Sequence, residues 1–339
     1  MSSIYAESFL LKTSEKAADL DHRRKINFNI GKYDAVVPKG KAQFTDLNRV
    51  RQLAKNRKWE AIEHLDLHLT QFEEQITKRG AKVFWAEDSE QALNFIGELC
   101  AEKKCKSIVK SKSMVTEEIH LNAYLESLGV ESVETDLGEY IQQMDGESPY
   151  HIVTPAMHKS KEDVAKLFAT HLGTAIDLTP EQLTLVARKN LREKYVQAEI
   201  GVTGANFILS DIGGIALTEN EGNARLSASW PKTHVVIVGI EKVLPSINDL
   251  GLFWPLLSTF GTGQQVTVYN SIITGPKQGD ESDGPEEMYV ILLDNGRTEL
   301  LANAKSREAL YCIRCGACLN ACPVYKNIGG HAYETTYSG

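Results

Sequence analysis

Apolar positions recur along the chain with two different periods, and these periods predict where helices and strands lie. From Asp46 to Gly80, apolar residues recur at spacings of three and four, which predicts a helical region. After Gly80, short apolar runs typical of strands alternate with helical patterns. The predicted strands are residues 81–86, 106–110, 130–135 and 151–155, and the helices after them are residues 88–102, 115–127, 137–143 and 160–171. Because parallel neighbours need a crossover, usually a helix, this alternation predicts a doubly wound α/β fold with helices on both faces of the sheet.

The second half of the chain is richer in strands. Thr179 stands as an N-cap in front of Pro180, which predicts a helix over residues 180–197. Apolar runs then follow without long helical patterns between them, at residues 205–210, 215–219, 233–239, 265–273 and 287–295. They predict a mixed or antiparallel portion of sheet. The stretch TGPKQGDESDGPEE between the last two runs predicts a solvated hairpin connection.

The first 45 residues follow neither period. They are polar, with basic patches such as HRRK, and they contain Gly31, Pro38 and Gly40. Because Gly and Pro interrupt regular structure, this pattern predicts an irregular arm that packs on the main body.

Length, charge and hydropathy narrow the function classes. The 339 residues suit one large α/β domain with appendages, or two domains. A net charge of −8 argues against a nucleic-acid-binding surface, so small molecules or proteins are the expected partners. The sequence shows no secretory leader and no run of about 18 apolar residues for a membrane span. We therefore expect a cytoplasmic protein, in which closely spaced cysteines are metal ligands or catalysts rather than disulfides.

The strongest chemical signal is a cysteine motif near the end of the sequence. Cys312, Cys315, Cys318 and Cys322, followed by Pro323, have the spacing C-x2-C-x2-C-x3-C-P, which is typical of [4Fe-4S] ferredoxin segments. The loop must turn tightly around one cluster, and the glycine inside the motif permits that turn. A zinc knot and free thiols are the alternatives, although zinc ligands normally come as two separated pairs.

The fourth cysteine of this motif raises a further question. In two-cluster ferredoxins it ligates the other cluster, which needs a second cysteine quartet. The sequence has only two more cysteines, Cys100 and Cys105, and their place in the α/β region favours free thiols over cluster ligands. Either the motif holds a single cluster or the sequence is that of a shortened chain, in which a cluster is incomplete or absent. We expect the second arrangement, with Cys322 directed to a second cluster.

Two other regions carry candidate ligand-binding residues. Polar residues fall on predicted turns within residues 201–243, namely Asn206, Asp211, Glu219, Glu221, Asn223 and Arg225. They indicate either a ligand site or ordinary turn chemistry. Lys110, Lys112 and Ser113 follow the second predicted strand, where they would face an anionic ligand or form a solvated lysine pair. Neither a dinucleotide-binding loop nor a P-loop is present in the sequence.

Seven segments in one order resemble a known family: KSKSMVTEE, ETDLGEYIQQ, HIVTPAMHKS, GVTGANF, NEGNAR, GIEKV and CIRCGACLNACPVY. They are similar to the LUD-domain iron-sulfur proteins of the lactate utilization protein B family, from about Ser8 onward. The resemblance implies an α/β domain of the NagB/RpiA/CoA-transferase-like (LUD) class, with a helical arm before it and part of a ferredoxin-like 4Fe-4S segment after it. We place these parts at residues 46–300, 1–45 and 301–339. Family members carry a second cysteine quartet further on, so two clusters are expected in the full-length protein.

The resemblance also implies a function. The expected role is that of an iron-sulfur electron-transfer subunit that oxidises L-lactate to pyruvate together with companion lactate-utilization subunits, in the cytoplasm or at the membrane periphery through those partners. If the LUD domain binds the 2-hydroxy acid, Lys112, Asn206, Glu221 and Arg225 are the expected contacts, with a cation for the carboxylate and a carboxylate as base. Arg314 beside the cysteines would favour the reduced cluster. No flavin motif is evident, so the hydride acceptor is expected on a partner. The alternatives are an acyl- or sugar-phosphate-handling enzyme with Glu221 as nucleophile or base and a structural cluster, or a cluster-bearing scaffold.

Overall fold

The computed structural model describes the backbone of residues 2–337 and the side chains of residues 6–337. The helices in chain order are α1 (Ser2–Ala18), α2 (Leu20–Lys41), α3 (Leu47–Glu63), α4 (Leu65–Thr77), α5 (Ser89–Glu102), α6 (Met114–Glu118), α7 (Leu121–Ser127), α8 (Leu137–Asp145), α9 (Lys161–Leu172), α10 (Pro180–Gln197), α11 (Asn223–Ser229), α12 (Leu250–Thr262), α13 (Arg297–Ala302), α14 (Ala317–Ala321) and α15 (Tyr325–Ile328). The strands are β1 (Lys82–Ala86), β2 (Ser107–Lys110), β3 (Glu131–Glu134), β4 (Ile200–Thr203), β5 (Phe207–Leu209), β6 (Gly214–Glu219), β7 (Thr233–Gly239), β8 (Val243–Leu244), β9 (Tyr269–Ile273) and β10 (Glu287–Leu293).

A six-stranded sheet forms the centre of the chain, in the order β1-β10-β7-β4-β2-β3. Every pairing in this sheet is parallel, so all six strands end at the same edge. The predicted α/β class with a parallel sheet is confirmed. From β2 the chain proceeds to β3 at one edge of the sheet, whereas β4, β7 and β10 follow one another toward the opposite edge. Such a change of direction leaves room for ligands beyond the carboxyl edge of the sheet.

The central strands are apolar on both sides because helices or a second sheet cover each face. Val236 and Val238 of β7 pack with α3 and α4, whereas Val235 and Ile237 of the same strand pack with α5 to α7. This alternation follows from the two-residue period of a strand. Helices α8 to α10 form a further apolar cluster against Val109.

A second, four-stranded sheet lies beside the first, in the order β8-β5-β6-β9. Its β5–β6 and β6–β9 pairings are antiparallel and its β5–β8 pairing is parallel. The predicted mixed portion is therefore confirmed for these strands. The same prediction is wrong for β7 and β10, which extend the parallel sheet.

Side-chain caps fix several helix starts that the sequence predicts. Thr179 and Gln182 form a reciprocal capping box in front of α10, with Pro180 in the first helical position. Asp88 accepts a hydrogen bond from the Gln91 amide at 2.9 Å and begins α5. These local signals explain why the helix starts were readable from sequence.

Four elements of the structure differ from those predicted from the sequence. Residues 151–155 form bends and turns rather than the predicted strand, whereas β4, which was not predicted, occupies residues 200–203. The helix predicted at residues 115–127 is split at His120, whose φ of 54° is left-handed. The helical region before Gly80 is split at His64.

The first 45 residues are mostly helical, so the pattern-based prediction of an irregular arm is wrong and the helical arm is confirmed. Gly31 and Pro38 both lie inside α2. Helix α2 packs on α12, α14 and α15, which supplies tertiary contacts that outweigh the low helix propensity of Gly and Pro. Each described helix is too short or too polar to cross a lipid bilayer.

Candidate functional site

A cavity of about 380 Å³ opens at the carboxyl edge of the parallel sheet. The segments that follow β2, β3, β4 and β7 form its floor, because parallel strands bring their ends together. The end of β6 and the loop after it form a second wall, and α12 a third. Arg314, Cys315 and Tyr337 from the C-terminal segment also line this space. The cysteine motif and the sheet edge thus share one cavity.

Lys112, Asn206 and Glu221 line the cavity together, as a shared site would require. Lys112 is half-buried and donates a hydrogen bond from Nζ to the carbonyl of Val153 at 2.8 Å. The side-chain oxygen of Asn206 accepts a hydrogen bond from the Thr218 amide at 2.9 Å. The Asn206 side chain therefore stabilises the local backbone and also lines the cavity.

Lys110 does not belong to a solvated lysine pair. Its side chain is completely buried, and its Nζ lies 2.7 Å from Glu134 and 3.0 Å from Glu117. The expectation of a solvated pair is therefore wrong for this lysine. Ser113 lines the cavity and is the N-cap residue of α6.

Glu221 has an unusual protonation equilibrium. Glu221 is exposed to solvent where it lines the cavity, yet partial loss of solvation of its carboxyl group, followed by repulsion from the Asp136 carboxylate, raises the pKa of Glu221 to about 7. A hydrogen bond from the Leu137 amide, 3.1 Å from Glu221 Oε2, and the charge of Lys112 oppose this rise. A carboxyl group with this pKa can release and accept a proton near neutral pH.

The other polar residues predicted on turns fall into two groups. The Glu219 carboxylate accepts hydrogen bonds from the amides of Ala224 and Arg225 at 2.7 and 2.9 Å, and it lines the cavity. Asn223 also lines the cavity and bonds to the Ala224 amide. Asp211 accepts the Ile247 amide at 3.0 Å, which is turn chemistry.

Arg225 lies outside the cavity lining. It is exposed on α11, and its guanidinium carbon lies 5.2 Å from the ring centroid of Tyr269. The geometry thus brings together three of the four residues expected to contact a 2-hydroxy acid.

The cysteine motif has features that suit an iron-sulfur cluster. Its four cysteines form no disulfide, and Cys312 and Cys318 are exposed. Arg314 and Gly316 have φ values of 61° and 74°, which produce the tight turn between the cysteines. The Arg314 amide points at Cys312 Sγ from 3.4 Å, as amides do around cluster thiolates. Burial, with the neighbouring Cys312 and Cys318 thiols as a further cause, raises the pKa of Cys315.

Cys322 occupies different surroundings from Cys315. Cys315 packs against the apolar cluster of α12, whereas Cys322 packs against the cluster that contains Tyr150 and Tyr325. The Tyr325 amide points at Cys322 Sγ from 3.5 Å. Cys315 and Cys322 therefore lie in different environments.

A network of buried charges beside the cysteines was missed by sequence reasoning. Arg297 contacts Glu241 through Nε at 2.5 Å and Glu118 through its terminal nitrogens at 3.0 and 2.8 Å. Glu118 also accepts a hydrogen bond from the hydroxyl of Tyr337 at 2.8 Å, and the Arg314 guanidinium carbon lies 3.8 Å from the Tyr337 ring centroid. These residues are far apart in sequence, and no local motif joins them.

Two lysines close to Glu241 were missed as well. Burial lowers the pKa of Lys58 to about 7 and that of Lys242 to about 8, and the nearby Cys312 thiolate opposes both shifts. Lys58 donates to the backbone carbonyl of Glu241. Two lysine side chains, whose ammonium forms are disfavoured by burial, therefore lie near Cys312.

The chain is similar in sequence to two known families. Residues 69–293 match the LUD domain family, and residues 308–339 match the 4Fe-4S dicluster domain family. Lactate utilization protein B from Anoxybacillus flavithermus is 46% identical over 290 residues, which cover 85% of this chain and 61% of that protein. The protein of the same name from Bacillus subtilis is 44% identical over 85% of this chain and 60% of its own length. A DUF162 family protein of known structure from Deinococcus radiodurans aligns at 13% identity with a TM-score of 0.38, over 68% of this chain and 98% of that one.

Proposed function

The chain belongs to the LUD domain family and carries a 4Fe-4S segment, and from this premise we propose that it is an iron-sulfur electron-transfer subunit of a multi-subunit system that oxidises L-lactate to pyruvate. The curated relatives named lactate utilization protein B support the substrate. The chain spans about three fifths of the length of those relatives. The companion lactate-utilization subunits are its proposed partners.

One observation carries the proposal: Cys315 and Arg314 line the same cavity as Lys112 and Glu221. A small carboxylate held at the sheet edge would therefore lie beside the cysteine motif. This proximity favours a role in electron transfer over a cysteine motif that only stabilises the fold.

The cavity residues have separate roles in binding a 2-hydroxy acid and in removing its proton. Lys112 supplies a cation for the carboxylate group, and its contact with the Val153 carbonyl holds the ammonium at the wall. Glu221, with its pKa near 7, accepts the proton of the 2-hydroxyl group, while the C2 hydrogen leaves with its electron pair as a hydride to an acceptor on a companion subunit. That acceptor then passes the two electrons one at a time to the clusters. Asn206 positions the turn opposite them and offers its amide nitrogen to the ligand. Arg225, which contacts Tyr269, takes no part in this proposed site.

The cysteines hold the redox group. Cys312, Cys315 and Cys318 ligate one cluster and Cys322 ligates a second, as in two-cluster ferredoxins. A [4Fe-4S] cluster supplies one-electron transfer when bound, so two clusters match a two-electron oxidation. The backbone amides of Arg314 and Tyr325, aimed at the sulfurs of Cys312 and Cys322, stabilise the thiolate charge.

Anaerobic reconstitution of the chain with iron and sulfide, followed by addition of L-lactate with and without companion subunits, tests the proposal. We expect lactate to bleach the visible absorbance of the chain only in the assembled complex. Lys112→Met should slow this bleaching by about 10-fold or more, the cost of one charged hydrogen bond. Lys106→Met is the matched control, because Lys106 is exposed at the opposite end of β2 and should leave the rate unchanged.

The competing functions give different results in the same experiment. A cluster that lactate never reduces, together with acyl transfer by the isolated chain, would favour the acyl- or sugar-phosphate-handling enzyme. Full activity of Cys315→Ser in the complex would favour the scaffold role. Cys105→Ser controls for loss of a thiol elsewhere, since Cys105 is buried and contacts the Ser107 carbonyl.

A further inference from the structure

A second group of potential metal ligands lies away from the cysteine motif. One carboxylate oxygen of Glu147 and one ring nitrogen each of His158 and His331 lie within 4.8 Å of one another. The nearest pair, His158 Nε2 and Glu147 Oε2, is separated by 2.9 Å. We propose that Glu147, His158 and His331 form a Zn²⁺ site that fastens the C-terminal segment to the loop between α8 and α9.

The ligand types and their spacing fit zinc. Two imidazoles and one carboxylate are a common zinc donor set, and tetrahedral coordination leaves a fourth position for water. Adjacent ligand atoms about 3–4 Å apart are what metal–ligand distances near 2.1 Å require. A neighbouring cavity of about 350 Å³, lined by Glu147 and His331, gives the ion and a water ligand access.

The packing around the site holds the two imidazoles in place. The ring of Tyr150 stacks on His158 with centroids 4.4 Å apart and meets His331 edge-on at 4.9 Å. Tyr150 is itself buried, and its hydroxyl lies 2.9 Å from His22 Nε2. Among the described residues the buried Nδ1 atom of His158 has no hydrogen-bond partner, so only the Nε2 atom of this imidazole is engaged, by Glu147.

Lys159 competes with the metal for the same carboxylate. Its Nζ lies 2.8 Å from Glu147 Oε2, and it also contacts Asp145. When Zn²⁺ binds, the ammonium would keep Asp145 as its partner and release Glu147. Zinc affinity should therefore rise when Lys159 is replaced by Met, a direction that a purely hydrogen-bonded cluster does not predict.

The site would link two parts of the cavity wall. His331 follows the cysteine motif, and its Nε2 atom contacts the Ser148 carbonyl at 2.7 Å. The loop that carries His158 also carries Ile152, Val153 and Thr154, which line the cavity beside Cys315. Zinc would thus hold this loop and the cysteine segment in a fixed relative position. The inference rests on these contacts and not on the proposed activity.

Metal analysis of the full chain with its cluster reconstituted tests the site. After dialysis against Zn²⁺ we expect about one zinc per chain in addition to the cluster iron. Replacing Zn²⁺ by Co²⁺ should give weak visible bands typical of nitrogen and oxygen ligands. Intense near-ultraviolet sulfur-to-cobalt charge-transfer bands would mean that the cobalt sits on thiolates, which would overturn the proposal.

Substitutions that keep the ring packing identify the ligands. His158→Phe and His331→Phe should each lower zinc affinity by about 10-fold or more, since a ligand is lost while an aromatic ring remains. His171→Ala is the control, because His171 is exposed at the end of α9. Zinc binding that survives both Phe variants, or absence of zinc from the unsubstituted chain, would show that the three residues form only a hydrogen-bonded cluster.

Discussion

Lys110 Nζ lies 2.7 Å from Glu134 Oε1, and this ion pair joins the neighbouring parallel strands β2 and β3 inside the protein. Both side chains are buried. The same ammonium reaches Thr116 and Glu117 of α6 at 2.8 and 3.0 Å. Burial alone lowers the pKa of Lys110, but the nearby carboxylates, Glu134 foremost, outweigh it and raise the pKa overall. The pair thus fixes the strand end from which Lys112 extends into the cavity.

Removal of this ammonium should destabilise the chain severely. Lys110→Met leaves Glu134 buried without a countercharge, which costs about 3–5 kcal/mol. Urea unfolding followed by circular dichroism measures the loss. The double variant Lys110→Met/Glu134→Gln removes the charge as well and should recover part of the stability. If it is as unstable as the single variant, repulsion by an unpaired carboxylate is not the cause.

Glu139 should keep its proton to a higher pH than an ordinary glutamic acid side chain does. Burial, then repulsion from Glu134, raises the pKa of Glu139 well above 4.5, and both carboxylate oxygens lack a hydrogen-bond partner among the described residues. Folding therefore takes up a proton above pH 4.5, and this group makes the chain less stable as the pH rises toward its folded pKa. Glu139→Gln removes this dependence, so the free energy of unfolding of this variant should increase relative to that of the unsubstituted chain as the pH rises above 4.5. Parallel pH profiles for the two proteins would contradict the prediction.

Local sequence signals predicted much of the fold. Strand β7 has a continuous apolar run, Val235–Val238, and is buried throughout because helices or sheet cover both its faces. The Thr179–Pro180 cap marked the start of α10. The failures arose where tertiary contacts decide the structure. Gly31 and Pro38 lie within α2, a helix stabilised by its packing on α12 and α15. Residues 151–155 have a strand-like composition, yet they form a turn against the cysteine segment.

The candidate site was predictable only in part for a similar reason. The cysteines were evident from their spacing, whereas Lys112, Asn206 and Glu221 were candidates among several polar residues near predicted strand ends and turns. Arg297 carries no such signal, because its partners Glu118 and Glu241 come from other elements of the chain. Its position can be known only from the fold that brings those elements to one edge of the sheet.

Activity of the assembled complex should depend on the ionisation of Glu221. Because the pKa of Glu221 is raised to about 7, the carboxylate base forms as the pH rises through that value, and kcat/KM for lactate should rise with it. Glu221→Gln should lower kcat/KM by about 100-fold or more and remove the rising limb. Asp136→Asn should shift the limb to lower pH, since repulsion from Asp136 is one cause of the raised pKa. An unchanged limb in Glu221→Gln would assign it to another group.

Space at the end of β4 should be needed for the cavity floor. A Cβ atom at Gly204 would lie 2.6 Å from Ser113 Oγ and 3.2 Å from Ser113 Cβ, so the Ser113 side chain would have to rotate and its Cβ would still be tightly packed. Gly204→Ala should therefore cost about 1–3 kcal/mol of stability and weaken lactate-dependent bleaching. Gly251→Ala is the control, because no atom lies within 4 Å of its added Cβ. Equal behaviour of the two variants would exclude a steric role for Gly204.

Arg297 should be irreplaceable by lysine because its guanidinium joins two carboxylates at once. Its Nε atom donates a hydrogen bond to Glu241, and its terminal nitrogens donate to Glu118. All three side chains are largely buried. A lysine has one ammonium group and cannot match this planar fork, so one buried carboxylate loses its partner. Arg297→Lys should cost about 3–5 kcal/mol in urea unfolding. It should also reduce iron retention, since Glu118 anchors Tyr337, on whose ring Arg314 of the cysteine motif lies.

The matched control for this substitution is Arg57→Lys. Arg57 Nε contacts Asp249 at 2.7 Å, but the arginine side chain is 42% exposed, so the exchange should cost about 1 kcal/mol or less. Iron content after gel filtration should be unaffected in this variant. Equal losses of stability in the two variants would mean that burial of the Arg297 network adds nothing. A loss of stability in Arg297→Lys with full iron retention would show that the Arg297 network acts independently of the cysteine motif. Only a simultaneous loss of stability and of iron supports their coupling.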